Sequence, residues 1–433
     1  MKRRLHKKYL LLILMYSGLL LLIPYVLDYR DKSGVRGNNL LQQQSRCPEL
    51  QDAVAQLWDH HHQHHLHHVN GTEEEQQQQH AVNRSRTRVN IYLHATWRTG
   101  SSFLGELFNQ HPGVFYLYEP MWHIWQALYP GDAGSLQGAV RDMMSALYRC
   151  DFSVLKLYSG PNQNLTTAFM FGWKMNKVIC SKPLCDAHLR HQVGLVREDL
   201  CAKCPKRDIR ELERECMKYP VMVIKGVRVL DLSTLVPLMK DPEVNLQVIQ
   251  LFRDPRAVHN SRLKSKQALV KESIQVLRSK KQMDKYKRLL VPSSRVNRAE
   301  SYVSSAMELI CENWLSDLLL VLNAPPWVRR SYMRVRYEDL VLRPLEELQR
   351  LFNFSNLSSF PDLDRFALNM THGQGYSSDR PFLISSRDAK EAIYAWRERL
   401  SVEQIQQVEA YCSEVMRQLG YEKNQKNSPD KTS

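Results

Sequence analysis

Val89-Asn90-Ile91-Tyr92-Leu93-His94-Ala95 runs directly into Thr96-Trp97-Arg98-Thr99-Gly100-Ser101-Ser102-Phe103, and the reading of this junction decides the fold. The first seven residues form an apolar run of the length and composition of a buried strand. Beyond the polar stretch, Leu104-Gly105-Glu106-Leu107-Phe108 returns to apolar residues at helical spacing. The order is therefore strand, tight polar loop, helix. Gly100 allows the backbone to turn without a steric penalty. The first amides of the helix face outward with the positive end of its dipole, which suits an anion. Arg98 and the hydroxyls of Ser101 and Ser102 add donors. A nucleoside-triphosphate loop of the GxxxxGK[ST] kind would place a lysine just before the hydroxyl, and here the cation comes first.

Further along, the strand signal recurs. Val114–Tyr118, Pro220–Ile224, Leu246–Phe252 and Tyr332–Tyr337 are short runs rich in β-branched and aromatic residues, separated by helical stretches. That alternation predicts an α/β domain with a central, mostly parallel sheet flanked by helices. Ligands of such sheets gather beyond the carboxyl ends of the strands. Three candidate groups fall at that edge: Arg98, Glu119 after the second strand, and the stretch Arg253-Asp254-Pro255-Arg256-Ala257-Val258-His259-Asn260-Ser261 after the fourth. In this last stretch Asp254 and Pro255 read as the cap and first residue of a helix. Two anion loops, each following a strand, suit a ligand with two separated anionic groups.

The rest of the chain sets the context. Its 433 residues carry a formal charge of +15, which points to acidic partners or an anionic surface. Residues 1–8 are a basic tail, and 9–27 are uncharged and apolar. Nineteen helical residues span about 28 Å, close to a bilayer core, and no small-x-small cleavage site follows. With the positive flank cytoplasmic, a single-pass type II anchor is expected and the remainder faces the lumen. Residues 28–87, with a histidine cluster and glutamine runs, read as a stem that buries too little apolar surface to fold alone. Residues 88–421 form the predicted catalytic domain and 422–433 a polar tail.

Six glycosylation sequons, at Asn70, Asn83, Asn164, Asn353, Asn356 and Asn369, agree with lumenal exposure. Of nine cysteines, Cys180, Cys185, Cys201, Cys204 and Cys216 crowd together. Their spacing admits a zinc knuckle, but an oxidising lumen favours disulfides, so no metal is expected. Cys47, alone in the stem, is the candidate for an interchain bridge in a homodimer.

The pair TWRTGSSF and FRDPRAVHNSR resembles the 5′-phosphosulfate and 3′-phosphate loops of the Golgi carbohydrate sulfotransferases. More narrowly, residues 88 to about 421 resemble the galactose/GalNAc/GlcNAc 6-O-sulfotransferase family; VRYEDL and YAWRERLS support the same match. The resemblance implies a sulfotransferase fold and 3′-phosphoadenosine 5′-phosphosulfate (PAPS) as co-substrate, with no metal. Arg98, Thr99, Gly100, Ser101, Ser102, Phe103 and Leu104 would hold the 5′-phosphosulfate. The 3′-phosphate would fall to Arg253 through Ser261, with Arg253 and Ser261 as direct contacts. Arg98 stands where soluble sulfotransferases carry a lysine. The adenine end would be met around Arg387 to Arg397. The implied acceptor is chondroitin or an N-acetylglucosamine-bearing glycan, and the implied location is the Golgi membrane.

The implied reaction is in-line transfer to a sugar hydroxyl, driven by positioning and electrostatics. Glu119 is the expected general base, His123 the reserve, and Arg98 a candidate cation at the leaving oxygen. Glu119 could instead pair with a cation and only order the site. Between Arg253 and Arg298 there are fourteen Lys/Arg against three Asp/Glu, a net of +11 that suits a polyanionic glycan. Nucleic acid could use such charge, but the lumenal topology excludes it. Trp122, Trp125 and Tyr129 read as a core-facing helix stripe rather than a sugar platform. Two rivals share the anchor and the sequons. Many Golgi glycosyltransferases use an Asp-x-Asp metal pair, which Asp362-Leu363-Asp364 formally matches, but after Pro361 in a polar segment this stretch reads as a turn or helix cap. A non-catalytic basic glycan-binding protein would bind acceptor without PAPS.

Overall fold

The computed structural model describes residues 88–279, 298–373 and 389–423, all within one compact unit, His80–Ser433. The anchor 9–27, the stem with Cys47, and most of the polar tail lie outside the described residues. Among the described residues no helix is long and apolar enough to cross a membrane.

Five strands build one sheet: β1 (Val89–His94), β2 (Val114–Tyr118), β3 (Val221–Gly226), β4 (Leu246–Phe252) and β5 (Tyr332–Arg336). Their order is β2-β3-β1-β4-β5, and every pairing is parallel. β1 lies in the centre and is buried on both faces, which is why its sequence reads as a continuous apolar run rather than an alternation. From β1 the chain leaves toward β2, while from β4 it leaves toward β5. Neighbouring strands whose connections depart in opposite directions open a crevice between their outgoing loops. The two anion loops identified in the sequence are those two connections.

The helix after β1, α1 (Ser101–Gln110), packs inward so closely that Gly105 is required: a Cβ there would meet the Tyr116 hydroxyl at 2.2 Å. α2 (Trp122–Ala127) follows β2. α3 (Pro255–Lys264) follows β4 and continues into α4 (Lys266–Arg278). The long α5 (Arg298–Asn323) is tied to the sheet by Asp317, which accepts from Gln250 Nε2 at 2.6 Å and the Leu232 amide at 2.6 Å and lies 3.1 Å from His94 Nε2.

Eight cysteines form four disulfides: Cys150–Cys216, Cys180–Cys201, Cys185–Cys204 and Cys311–Cys412. The sulfurs of Cys180, Cys201 and Cys204 lie close together, but each is committed to a disulfide, so the zinc-like spacing is the trace of two staples. The asparagines of the four described sequons, Asn164, Asn353, Asn356 and Asn369, are exposed.

Candidate active site

The crevice at the carboxyl edge of β1, β3 and β4 is a cleft of about 1080 Å³. Its floor is the loop between β1 and α1. Arg98 and Gly100 both adopt left-handed backbone, with φ of 76° and 94°. At Gly100 a side chain is excluded twice, by that φ and by the Tyr337 ring, which a Cβ would approach to 2.3 Å. No side chain caps α1; the Phe103 amide donates to the Gly100 carbonyl at 3.0 Å, and the amides of Ser101 and Ser102 before it suit a ligand. Thr99 is fully buried and its hydroxyl donates to the Thr96 carbonyl at 2.8 Å, which locks the loop. Arg98, Gly100, Ser101, Ser102 and Phe103 line the cleft; Leu104 turns into the core.

The second loop joins the first directly. Arg98 Nε donates to Ser261 Oγ at 2.9 Å, and Arg253 Nη1 donates to the Arg98 carbonyl at 3.0 Å. Arg253 also stacks on Tyr337 at 4.5 Å and keeps a buried Nε without a hydrogen-bond partner among the described residues. Of the predicted run Arg253 to Ser261, only Arg253, Ala257, Asn260 and Ser261 line the cleft, joined by Lys264. Helical spacing explains the selection, because positions three and four apart share a face. Asp254 caps α3 by accepting from the Arg256 amide, and Pro255 opens the helix. Arg256 points away, held by Asp254 at 2.9 Å and Glu409 at 2.7 Å and stacked on Trp396 at 4.1 Å. Val258 is in a core cluster with Phe252 and Trp314, and His259 is buried with neither ring nitrogen hydrogen-bonded among the described residues.

Between the loops stands Glu119, itself at a left-handed φ of 46°. Its carboxylate is buried and paired with both Lys225 and Arg228. Burial alone would raise its pKa; the charges and hydrogen bonds of Lys225 and Arg228 outweigh burial and bring it down to about 2. Arg228 lies within 5.9 Å of the Trp97 and Trp125 rings and reaches Glu272 at 3.5 Å. His123 does not line this cleft. It stacks on Phe169 with ring centroids 4.5 Å apart and borders a neighbouring cavity, where burial and then the Arg228 charge lower its pKa to about 4.

Comparison with known proteins agrees with this geometry. Residues 89–420 match the sulfotransferase domain family. The chain belongs to the sulfotransferase family. It is 50% identical to carbohydrate sulfotransferase 7 of Mus musculus over 97% of this chain and 93% of that protein. The Rattus norvegicus protein of the same name is 51% identical over the same shares. Carbohydrate sulfotransferase 2 of Homo sapiens is 49% identical over 78% of this chain and 66% of its own.

In this sulfotransferase two cleft cations, Lys225 and Arg228, escape sequence reading. The apolar run Pro220–Ile224 suggests that the strand stops at Ile224, but β3 continues through Lys225 and Gly226. The signal present in the sequence is a lysine and an arginine at the carboxyl end of a strand, the argument already applied to Arg98. Trp122 also differs from expectation. Trp125 is fully buried, whereas Trp122 turns to the cleft and stacks on Phe171 at 4.8 Å. Asp362 and Asp364 occupy the first turn of the helix Pro361–His372, away from the cleft; Asp362 pairs with Arg365 and Asp364 accepts from Ser359. Cleft residues near the expected adenine end are Ala389, Glu391, Ala392, Ala395 and Arg399; Arg387 lies outside the described residues.

Proposed function

We propose that this sulfotransferase moves sulfate from PAPS to the 6-hydroxyl of N-acetylgalactosamine in chondroitin, of N-acetylglucosamine in glycans, or of both, as a type II enzyme of the Golgi lumen. The observation that carries the reading is the bridge between the anion loops, Arg98 to Ser261, at the mouth of one cleft that also holds Glu119. Four disulfides support an oxidising compartment. PAPS carries an activated sulfuryl group at the end of its 5′-phosphosulfate, with a separate 3′-phosphate on the same ribose. An uncapped helix start with Ser101 and Ser102 fits the 5′-phosphosulfate, and Arg253, whose buried Nε has no hydrogen-bond partner among the described residues, fits the 3′-phosphate.

Within the cleft, Arg98 stands where charge develops on the leaving oxygen, and fixed donors there need no reorganisation. Glu119 is the acid best placed to take the proton of the attacking hydroxyl. Its two cations keep it ionised and oriented, but they also make it a weak base. Its basicity rises as Lys225 or Arg228 turns toward the transferring group, so the pair of cations and the base act as one unit. His123 is set back in the neighbouring cavity and is not within the cleft wall.

The test is transfer from radiolabelled PAPS to desulfated chondroitin and to an N-acetylglucosamine glycoside, with and without EDTA. Sulfate at carbon 6 in both conditions is expected. Glu119→Gln should lower the rate by roughly 100-fold to 10,000-fold with binding of the desulfated donor retained. Loss of all transfer in EDTA, or full activity in Glu119→Gln, contradicts the mechanism. Acceptor binding without any binding of PAPS would instead favour the non-catalytic glycan-binding reading.

A further inference from the structure

A second cavity of about 650 Å³ adjoins the active-site cleft, and Trp122 belongs to the walls of both. Its other walls include His123, Gln126, Tyr158 and Phe169, with Lys206 exposed at the rim. An aromatic ladder joins the two spaces. Tyr118, whose hydroxyl lies 3.2 Å from Ser102 Oγ, stacks on Phe171 at 5.9 Å, Phe171 on Trp122 at 4.8 Å, and His123 on Phe169 at 4.5 Å. Trp122 and His123 meet edge to face at 5.3 Å and complete the path.

Aromatic walls with a few placed polar groups are the make-up of a site for a ring-shaped, partly apolar ligand. One of those polar groups is unspent. His123 is only 5% exposed, and its Nε2 has no hydrogen-bond partner among the described residues. A buried polar atom left unpaired is costly, and a ligand hydroxyl would satisfy it whether the neutral ring donates or accepts there. Lys206 adds a cation at the outer end, suited to an anionic substituent.

We infer that this second cavity is a subsite for the acceptor: it holds the sugar next to the reacting one in an oligosaccharide, with its acidic group toward Lys206. This rests on the proposed carbohydrate transfer and deepens it. A ring seated beyond Trp122 would fix the reacting sugar's hydroxyl in the cleft, so the enzyme should prefer an extended acidic acceptor to a single sugar.

The experiment uses the full chain with two acceptors, an unsulfated chondroitin tetrasaccharide and an N-acetylgalactosamine glycoside. Two variants probe the subsite: Lys206→Glu at the exposed rim, and His123→Phe, which keeps the stacked ring and removes its nitrogens. In each, the ratio of kcat/KM for the tetrasaccharide to that for the glycoside should fall about tenfold. An unchanged ratio in both overturns the subsite. Calorimetric binding of the tetrasaccharide, with the desulfated donor present, separates this from the functional reading. If the wild type transfers to neither acceptor but both variants weaken that binding, the transfer reading fails and the subsite stands. Binding unchanged in the variants overturns the subsite whatever the transfer. Asn164, a sequon residue, also borders the cavity. Should Asn164→Gln alone move the ratio, the space belongs to the chain's own glycan, which also overturns the proposal.

Discussion

The two connections that meet at the cleft share residue types but not design. Both follow parallel strands, and both carry arginine and serine. The loop after β1 leaves α1 without a side-chain cap and holds Arg98 and Gly100 in left-handed backbone. The loop after β4 caps α3 with Asp254 and spends Arg256 on Asp254 and Glu409. The first therefore offers backbone donors and a helix dipole to an anion, while the second offers side chains selected by helix face. The lesson is that an arginine in an anion motif stays available to an anion when carboxylates do not claim it: Arg253 donates to the backbone carbonyls of Arg98 and Ala392, whereas Arg256 is ion-paired with Asp254 and Glu409. Arg253 and Arg256 stand three residues apart in one motif and have opposite fates.

Substitutions on each side can break this contrast. The largest effect is expected from Gly100→Ala. Overlap with Tyr337 costs roughly 1–3 kcal/mol and the left-handed φ a further ~1–3 kcal/mol, so affinity for the desulfated donor should fall about 100-fold or more. Calorimetry would show this, and near-normal binding would mean that the loop tolerates an ordinary backbone. Next comes Arg256→Ala, which removes the buried guanidinium that pairs with Asp254 and Glu409. A loss of about 3–5 kcal/mol in unfolding free energy is expected, with donor affinity per folded molecule kept within about twofold. A large affinity loss at unchanged stability would reverse the assignment. Arg253→Ala should do the opposite, weakening the donor roughly 10-fold to 100-fold, as expected for loss of a charged hydrogen bond worth about 1.5–3 kcal/mol.

The acid between the loops sharpens the contrast with the smallest wild-type effect. Because the cations hold Glu119 down at about 2, its protonation should cost almost nothing in kcat/KM between pH 7 and pH 5. Lys225→Met removes one of the charges that oppose burial, so the carboxyl pKa rises and an acid limb should move up toward the ordinary carboxylate range. A pH profile of the variant that matches the wild type would show that Lys225 does not control this group.

Much of the fold was legible in the sequence. All five strands fall where the sequence predicts them: β1 to β4 are buried almost throughout and write that burial directly into composition, while β5 alternates buried and more exposed residues. The strand ends were less legible: β3 runs through Lys225, which a reading by hydrophobicity excludes because the partner of its charge, Glu119, lies 106 residues away. The candidate site divides in the same way. Arg98, Gly100, Ser101, Ser102, Glu119, Arg253 and Ser261 were placed at the ligand edge by position after a strand, and all line the cleft. Arg256, His123 and Trp122 depend on which way a side chain turns, and that depends on partners far away in the chain.

By itself, then, the sequence determined the elements, the turn chemistry between them and the positions of two anion loops, because each depends on neighbours within a few residues. Tertiary structure alone decided that β1 and β4 lie side by side, so that Arg98 reaches Ser261 across 163 residues of chain. It also decided which cysteines pair, which arginines remain for a ligand, and how weak a base Glu119 is at rest. Those outcomes are set by distances and dielectric between groups that only the folded chain brings together.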